Sequence, residues 1–278
     1  MMPEPSKESA SHAQIDLADR YSRQALFLPI GLQGQARLAR SRVTVLGCGG
    51  LGTNLANMIA RAGVGHLSIV DRDRVELSNL QRQVLFDEKD ARERVFKAEA
   101  AARHLREINS EIEIETHIAD VTAHNIEEIV RGSDLVLDGF DNLEGRFLIN
   151  DACVKLAIPW IYGACVAAIG TVMTVWPPRT PCLRCVFESQ PPPGSSDSCN
   201  TVGVLAPIVS VIAALEVGEA IKILSGNIDA ICTDLRMVDV WGATQRRVPL
   251  SVFDTSGQCP ACGLRRFDYL ESNSVNRP

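Results

Sequence analysis

The stretch VTVLGCGGLG occupies residues 43–52. Its first half is a short apolar run of the kind that fills a buried strand. Its second half places Gly47, Gly49 and Gly52 in the spacing G-x-G-x-x-G, with Gly50 as an extra glycine. Glycine lets the backbone turn sharply and lets a phosphate come close, and the helix that follows offers free N–H groups at the positive end of its dipole. The pattern after the loop supports a helix over residues 51–62, stopped at Gly63. A second strand, HLSIVD, follows at 66–71. Asp71 ends that strand 24 residues after Gly47, where a carboxylate accepts ribose hydroxyls. Strand, glycine loop, helix, strand and acid together read as a nucleotide site on a parallel sheet. The loop alone does not say whether it holds a dinucleotide or the phosphates of ATP.

The rest of the chain continues the alternation. Residues 97–108 are helical in pattern. EIEIETHI (111–118) alternates strictly, with Ile112, Ile114 and Ile118 on one face, and reads as a half-buried strand. Further strands are expected at 134–138, 159–166 and 171–176, and two more around Gly242 between 235 and 248. Helices are expected at 125–131, 146–156 and 207–224, the last ended by Gly226. The Pro- and Ser-rich segment 189–198 reads as a loop. The fold class is therefore α/β: a doubly wound, Rossmann-like, mostly parallel sheet with a mixed, antiparallel C-terminal extension.

Bulk properties narrow the function. The chain has 278 residues, 46% hydrophobic and 22% charged, with net charge −6. That balance argues against nucleic acid, which wants a basic face. The longest uncharged apolar-rich run, 201–215, is shorter than the roughly 18 residues of a membrane span and contains Gly203 and Pro207. The expectation is a cytoplasmic protein with no membrane partner. Four of nine cysteines form two C-x-x-C pairs, Cys182/Cys185 and Cys259/Cys262. Without an export signal, paired knuckles point to metal before disulfides, and four thiolates suit a structural, tetrahedral Zn²⁺. The histidines at 66, 104, 117 and 124 show no ligand spacing.

ATP chemistry asks for more than a glycine loop: cations for the departing pyrophosphate and a carboxylate for a metal. The sequence offers Arg82 in SNLQRQ (78–83), Lys97 at the head of a helix, and Asp138 and Asp141 in LVLDGFDN (135–142) at a strand's C-terminal end. Each alone has a bland reading as a surface charge or a turn cap.

Together with RYSRQ (20–24), GCGGLG, RAGVGHLSIVDRDRVELSNLQRQ (61–83), both C-x-x-C pairs and CNTVGVLAP (199–207), these stretches resemble the ThiF/MoeB adenylyltransferase family, relatives of ubiquitin-activating enzymes. The match is nearest in appearance to the thiamine-pathway ThiF branch. The resemblance implies adenylylation by ATP of the C-terminal glycine carboxylate of a small ubiquitin-like sulfur carrier of ThiS or MoaD type, ahead of thiocarboxylate formation. It implies that Asp71, with Asp73 beside it, serves the ribose end, and that Arg82 and Lys97 contact phosphates. Asn79 and Gln83 would line the pocket, and Asp141 would hold Mg²⁺. It implies a homodimer in which Arg23 reaches the partner's site. Cys199 would be a thiol able to join the carrier covalently, with a sulfurtransferase or cysteine desulfurase as a further partner. One departure stands out: where family members often carry glycine, three residues before the lysine, this chain has Arg94.

The expected organisation is one adenylation domain over residues 20–268, with a mobile loop at 190–200. A disordered tail (1–19) precedes it and a short tail (269–278) follows. Two other readings remain open: an NAD-dependent oxidoreductase, and a non-catalytic scaffold that binds nucleotide or a ubiquitin-like protein.

Overall fold

The computed structural model describes residues 19–187, 189–190, 199–253 and 257–271. Eight strands form one sheet: β1 (Arg42–Leu46), β2 (His66–Val70), β3 (Glu113–His117), β4 (Leu135–Asp138), β5 (Trp160–Val166), β6 (Ile169–Val175), β7 (Asp234–Asp239) and β8 (Thr244–Pro249). Their order is β3-β2-β1-β4-β5-β6-β7-β8. The first five are parallel, and the pairs β5–β6, β6–β7 and β7–β8 are antiparallel. Sequence order leaves β1 in opposite directions toward β2 and β4. That reversal is the switch point where open α/β sheets bind ligands, at the strands' C-terminal ends.

Register fixes what meets there. Leu46 pairs with Val70 on one side and Asp138 on the other. The three strands end level, so Gly47, Asp71 and Gly139 begin their loops side by side.

Both faces of the sheet are covered, and alternate strand residues feed two apolar cores. Val43, Val45, Leu135 and Leu137 pack with Leu55 and Ile59 of the helix Gly50–Ala62, Leu105 of Lys97–Ile108, and Ile208 and Ile212 of Ala206–Ser225. Leu46, Val70 and Val136 point the other way, toward Ile149 and Cys153 of Leu143–Leu156 and toward Trp160, Met173 and Leu183. Strands buried on both faces explain the near-continuous apolar runs. Gly63 and Gly226, both at positive φ, end their helices as expected.

Two expectations shift at their edges. β3 stops at His117, and Ile118 is 43% exposed rather than on the buried face, because β3 is the edge strand and no neighbour extends it. The helix expected from Arg146 starts at Leu143, because the Asn142 side chain accepts the Gly145 N–H at 2.8 Å and caps it. The loop expectation at 189–198 falls mostly on residues 191–198, which lie outside the described residues, as do 1–18 and 272–278. Among the described residues no helix is long and apolar enough to cross a membrane.

Candidate active site

The floor of the site is a close crossing of two backbones. Gly47 has φ +90°, and a Cβ there would lie 2.7 Å from the Gly139 carbonyl oxygen. A Cβ at Gly139 would lie 2.4 Å from the Gly47 oxygen, and one at Gly52 only 1.9 Å from it. A side chain at Gly47 or Gly139 would separate β1 from β4, and one at Gly52 would lift the helix Gly50–Ala62 off the loop. Gly52 therefore acts inside the fold: it lets the helix Gly50–Ala62 seat on the loop and does not line the cavity. Gly49 caps that helix and, with Gly47 and Gly50, faces the cavity. Thr53 turns its hydroxyl back to the Gly49 carbonyl at 2.8 Å.

A cavity of about 860 Å³ opens above this crossing. It gathers Gly47, Gly49, Gly50, Asp71, Asp73 and Asn79, and also Arg82, Gln83, Lys97 and Asp141. Residues as far apart in sequence as Gly47 and Asp141 thus share one hollow. The Asp71 carboxylate accepts the Cys48 N–H and the Asp73 N–H, each at 2.7 Å, which ties the glycine loop to the end of β2. Burial pushes the Asp71 carboxyl up, and Lys97 opposes that shift. The Cys48 thiol is wholly buried and held up by the same desolvation, so it packs and does not react.

Lys97 is placed by backbone pairing. The Val75 N–H donates to the Val95 carbonyl and the Lys97 N–H to the Asp73 carbonyl, both at 2.9 Å. Arg94, in the position that departs from the family's glycine, adopts φ +49° and ψ +44°, the left-handed conformation a glycine would take. The turn is kept, and the Lys97 ammonium reaches the cavity, where it donates to Asp73 at 2.9 Å. The stem of Arg82 lies over Gly50, and its guanidinium donates to the Ser78 carbonyl at 3.1 Å. Asn79 accepts the Glu76 N–H and caps its own short turn. Gln83 is buried, and its Oε1 has no partner among the described residues.

Sequence reasoning missed the group that holds Asp141. Arg146 is buried, and its Nε donates to Asp138 Oδ2 at 2.8 Å. Its Nη2 donates to the Phe140 carbonyl at 2.6 Å and the Gly163 carbonyl at 2.8 Å. One guanidinium thereby ties the end of β4, the turn bearing Asp141, and β5 together. Asp138 is consumed by this pair; burial raises its pKa, which Arg146 opposes. Asp141 itself is exposed at the cavity wall. The DN dipeptide marked the turn, but nothing local showed that Arg146 would face inward.

Mg²⁺ keeps most of its waters and takes one or two carboxylates plus substrate phosphates, which the Asp141 carboxylate at the cavity wall fits. The four knuckle cysteines converge, with all sulfurs within 4.8 Å of one another. Cys182 and Cys259 lie 3.5 Å apart, Cys185 and Cys262 3.4 Å, and Cys182 and Cys185 3.9 Å. A tetrahedron with Zn–S of about 2.3 Å has edges of about 3.8 Å, so the cluster fits zinc with no open position. Asp87, Asp90 and His104 also cluster. Arg103 and His104 both pair with Asp90, while Asp87 and Asp90 cap each other's backbone, so these groups are already satisfied.

Arg23 does not line the cavity of its own chain; it lies on the helix Ser22–Ala25. Cys199 opens the helix Cys199–Val202, and its side chain lies outside the described residues.

The chain matches the ThiF family over residues 21–261. It is 43% identical over 255 residues to the sulfur carrier protein ThiS adenylyltransferase of Bacillus subtilis, covering 91% of this chain and 74% of the relative. It is 38% identical over 264 residues to the SAMP-activating enzyme E1 of Haloferax volcanii, covering 93% and 96%. Its fold is similar to the crystal structure of E. coli MccB with MccA-N7isoASN, at a TM-score of 0.77 and 24% identity over 89% of this chain and 75% of that one. By the family match and by 38–43% identity to relatives of which it covers 74% or more, the chain belongs to the ThiF family.

Proposed function

We propose that this chain uses ATP to adenylylate the C-terminal glycine carboxylate of a small ubiquitin-like sulfur carrier. One observation carries the reading: a single cavity at the switch point holds a glycine loop, the cations of Arg82 and Lys97, and the Asp141 carboxylate. An NAD-dependent oxidoreductase has no use for Arg82, Lys97 and Asp141 together.

The chemistry follows from charge. The carrier carboxylate is already an anion and needs no general base. Its oxygen attacks the α-phosphorus, the bond to the bridging oxygen breaks, and pyrophosphate leaves with the electron pair. The protein's task is to bring two anions together and neutralise what develops. The amides at Gly49 and Gly50 cradle phosphate at the helix N-terminus. Asp71, fixed by two backbone donors, accepts ribose hydroxyls. Arg82 and Lys97 take the phosphate charge, with phosphate displacing Asp73 from Lys97. Asn79 and Gln83 line the wall, and the unpartnered Gln83 Oε1 is an acceptor waiting for a donor. Asp141 holds Mg²⁺, which when bound offsets the charge of the pyrophosphate.

In the same reading one adenylation domain begins at residue 20 and runs past the expected end at 268, because Tyr269 and Leu270 pack against it. The protein is a cytoplasmic homodimer, Arg23 serves the partner subunit's site, and zinc in the four-cysteine cluster is structural. Cys199 takes part in sulfur transfer supplied by a sulfurtransferase or cysteine desulfurase.

The test is exchange of labelled pyrophosphate into ATP with a Gly-Gly-ended carrier present. Wild type exchanges, and Asp141→Asn loses exchange while remaining folded. Full exchange by Asp141→Asn would refute the metal role.

A further inference from the structure

The family match ends at residue 261, yet a side chain beyond it reaches the cavity. After Cys262 the chain turns back along the helix Leu143–Leu156 and forms one helical turn, Asp268–Glu271. A single turn does not hold itself. Here it is fixed from several sides. The ring of Tyr269 stacks on Phe147 with centroids 4.8 Å apart. The Tyr269 N–H donates to Asp151 Oδ2 at 3.1 Å, and its hydroxyl accepts the Gln190 N–H at 3.2 Å. Arg184, buried between Cys182 and Cys185, donates to Asp268 Oδ2 at 2.8 Å and to the Arg266 carbonyl at 3.3 Å. Its guanidinium also lies 3.7 Å from Asp151 and 5.3 Å from the Tyr269 ring centroid.

This bracing positions one ring at the cavity wall. Glu144, Gly145 and Leu148 from the first turns of the neighbouring helix line the same cavity, as do Val121 and Ala123 from the segment after β3. Val121, Ala123 and Leu148 pack in one apolar cluster, and Leu270, next to Tyr269, packs there too. Phosphates belong at the glycine loop and ribose at Asp71, so this apolar side is left for the base, which needs flat, non-polar surface.

We propose that Tyr269 is a wall residue for the nucleoside end of the pocket, supplied by the C-terminal segment and held there by Arg184, Asp151 and Phe147. The proposal rests on the adenylyl-transfer reading, and it assigns nucleotide affinity, not carrier affinity, to this segment.

The experiment is calorimetric binding of ATP, AMP and pyrophosphate to the full chain without carrier. Wild type is compared with Tyr269→Ala, Tyr269→Phe and Asp268→Asn. Tyr269→Ala should weaken ATP and AMP about tenfold, about 1.4 kcal/mol, and leave pyrophosphate unchanged. Tyr269→Phe keeps the ring and should bind as wild type, and Asp268→Asn should weaken AMP partway. Unchanged AMP affinity in Tyr269→Ala, or an equal loss for pyrophosphate, would overturn the assignment while leaving adenylyl transfer standing. Failure of wild type to bind ATP at all would overturn both.

Discussion

Glu216 is the buried group with the clearest thermodynamic signature. It sits in the helix Ala206–Ser225, fully buried, and neither carboxylate oxygen has a partner among the described residues. Its carboxyl presses on Gly163, where a Cβ would lie 1.9 Å from Oε1. Burial drives its pKa well up, Asp138 adds to the rise, and Arg146 opposes it. Burying an unpaired carboxylate costs several kcal/mol. Protonating a carboxyl with an unfolded pKa of about 4.3 costs only about 3.7 kcal/mol at pH 7, at about 1.4 kcal/mol per pH unit. Protonation is cheaper, so Glu216 is neutral in the folded protein. The folded state then binds one more proton than the unfolded state above pH 4.3, and stability falls as pH rises. Glu216→Gln removes that penalty but buries an amide with unpaired donors, at about 1–3 kcal/mol. The variant should therefore be more stable than wild type at pH 7 by about 1–3 kcal/mol and no more stable at pH 5. Its unfolding free energy should fall less steeply with pH. Urea unfolding of both proteins from pH 5 to 8 measures this. Parallel pH profiles, with a constant offset, would show that Glu216 does not take up a proton on folding and would refute the reasoning.

Other substitutions test the neighbouring claims. Arg94→Gly relieves a left-handed arginine that costs about 1 kcal/mol, against glycine's larger unfolded-state entropy. It should raise Tm slightly, and a clear loss would mean that the exposed pair with Glu76 outweighs the backbone term. Arg146→Met strands the buried Asp138 carboxylate and should cost about 3–5 kcal/mol, read by urea unfolding. The double variant Arg146→Met/Asp138→Asn should recover part of that loss, and additive losses would rule out a direct pair.

What the sequence revealed, and what it hid, divides by range. The strand, glycine loop and helix from 42 to 62 were legible because period, glycine spacing and helix stop all lie within one short window. Lys97–Ile108 was legible for the same reason. The convergence of Arg82, Lys97 and Asp141 came from the resemblance, and the sheet order explains it: β1, β2 and β4 are adjacent and end level. Arg146, Glu216 and Tyr269 were invisible because their roles depend on which face of a helix meets which strand. The helix around Glu216 is apolar nearly all round, so its pattern named it buried without showing that a carboxyl went with it. Arg94 departs from the family's glycine, but antiparallel pairing of residues 73–75 with 95–97 sets the position of Lys97 regardless.

The central claim is adenylyl transfer to a carrier carboxylate. Its most direct test is the intact mass of a Gly-Gly-ended carrier incubated with this chain, ATP and Mg²⁺ in the absence of a sulfur source. The carrier should become heavier by one adenylyl group, and the gain should vanish when its terminal glycine is deleted. A carrier of unchanged mass, with ATP bound but not consumed across the panel of candidate carriers, would contradict it.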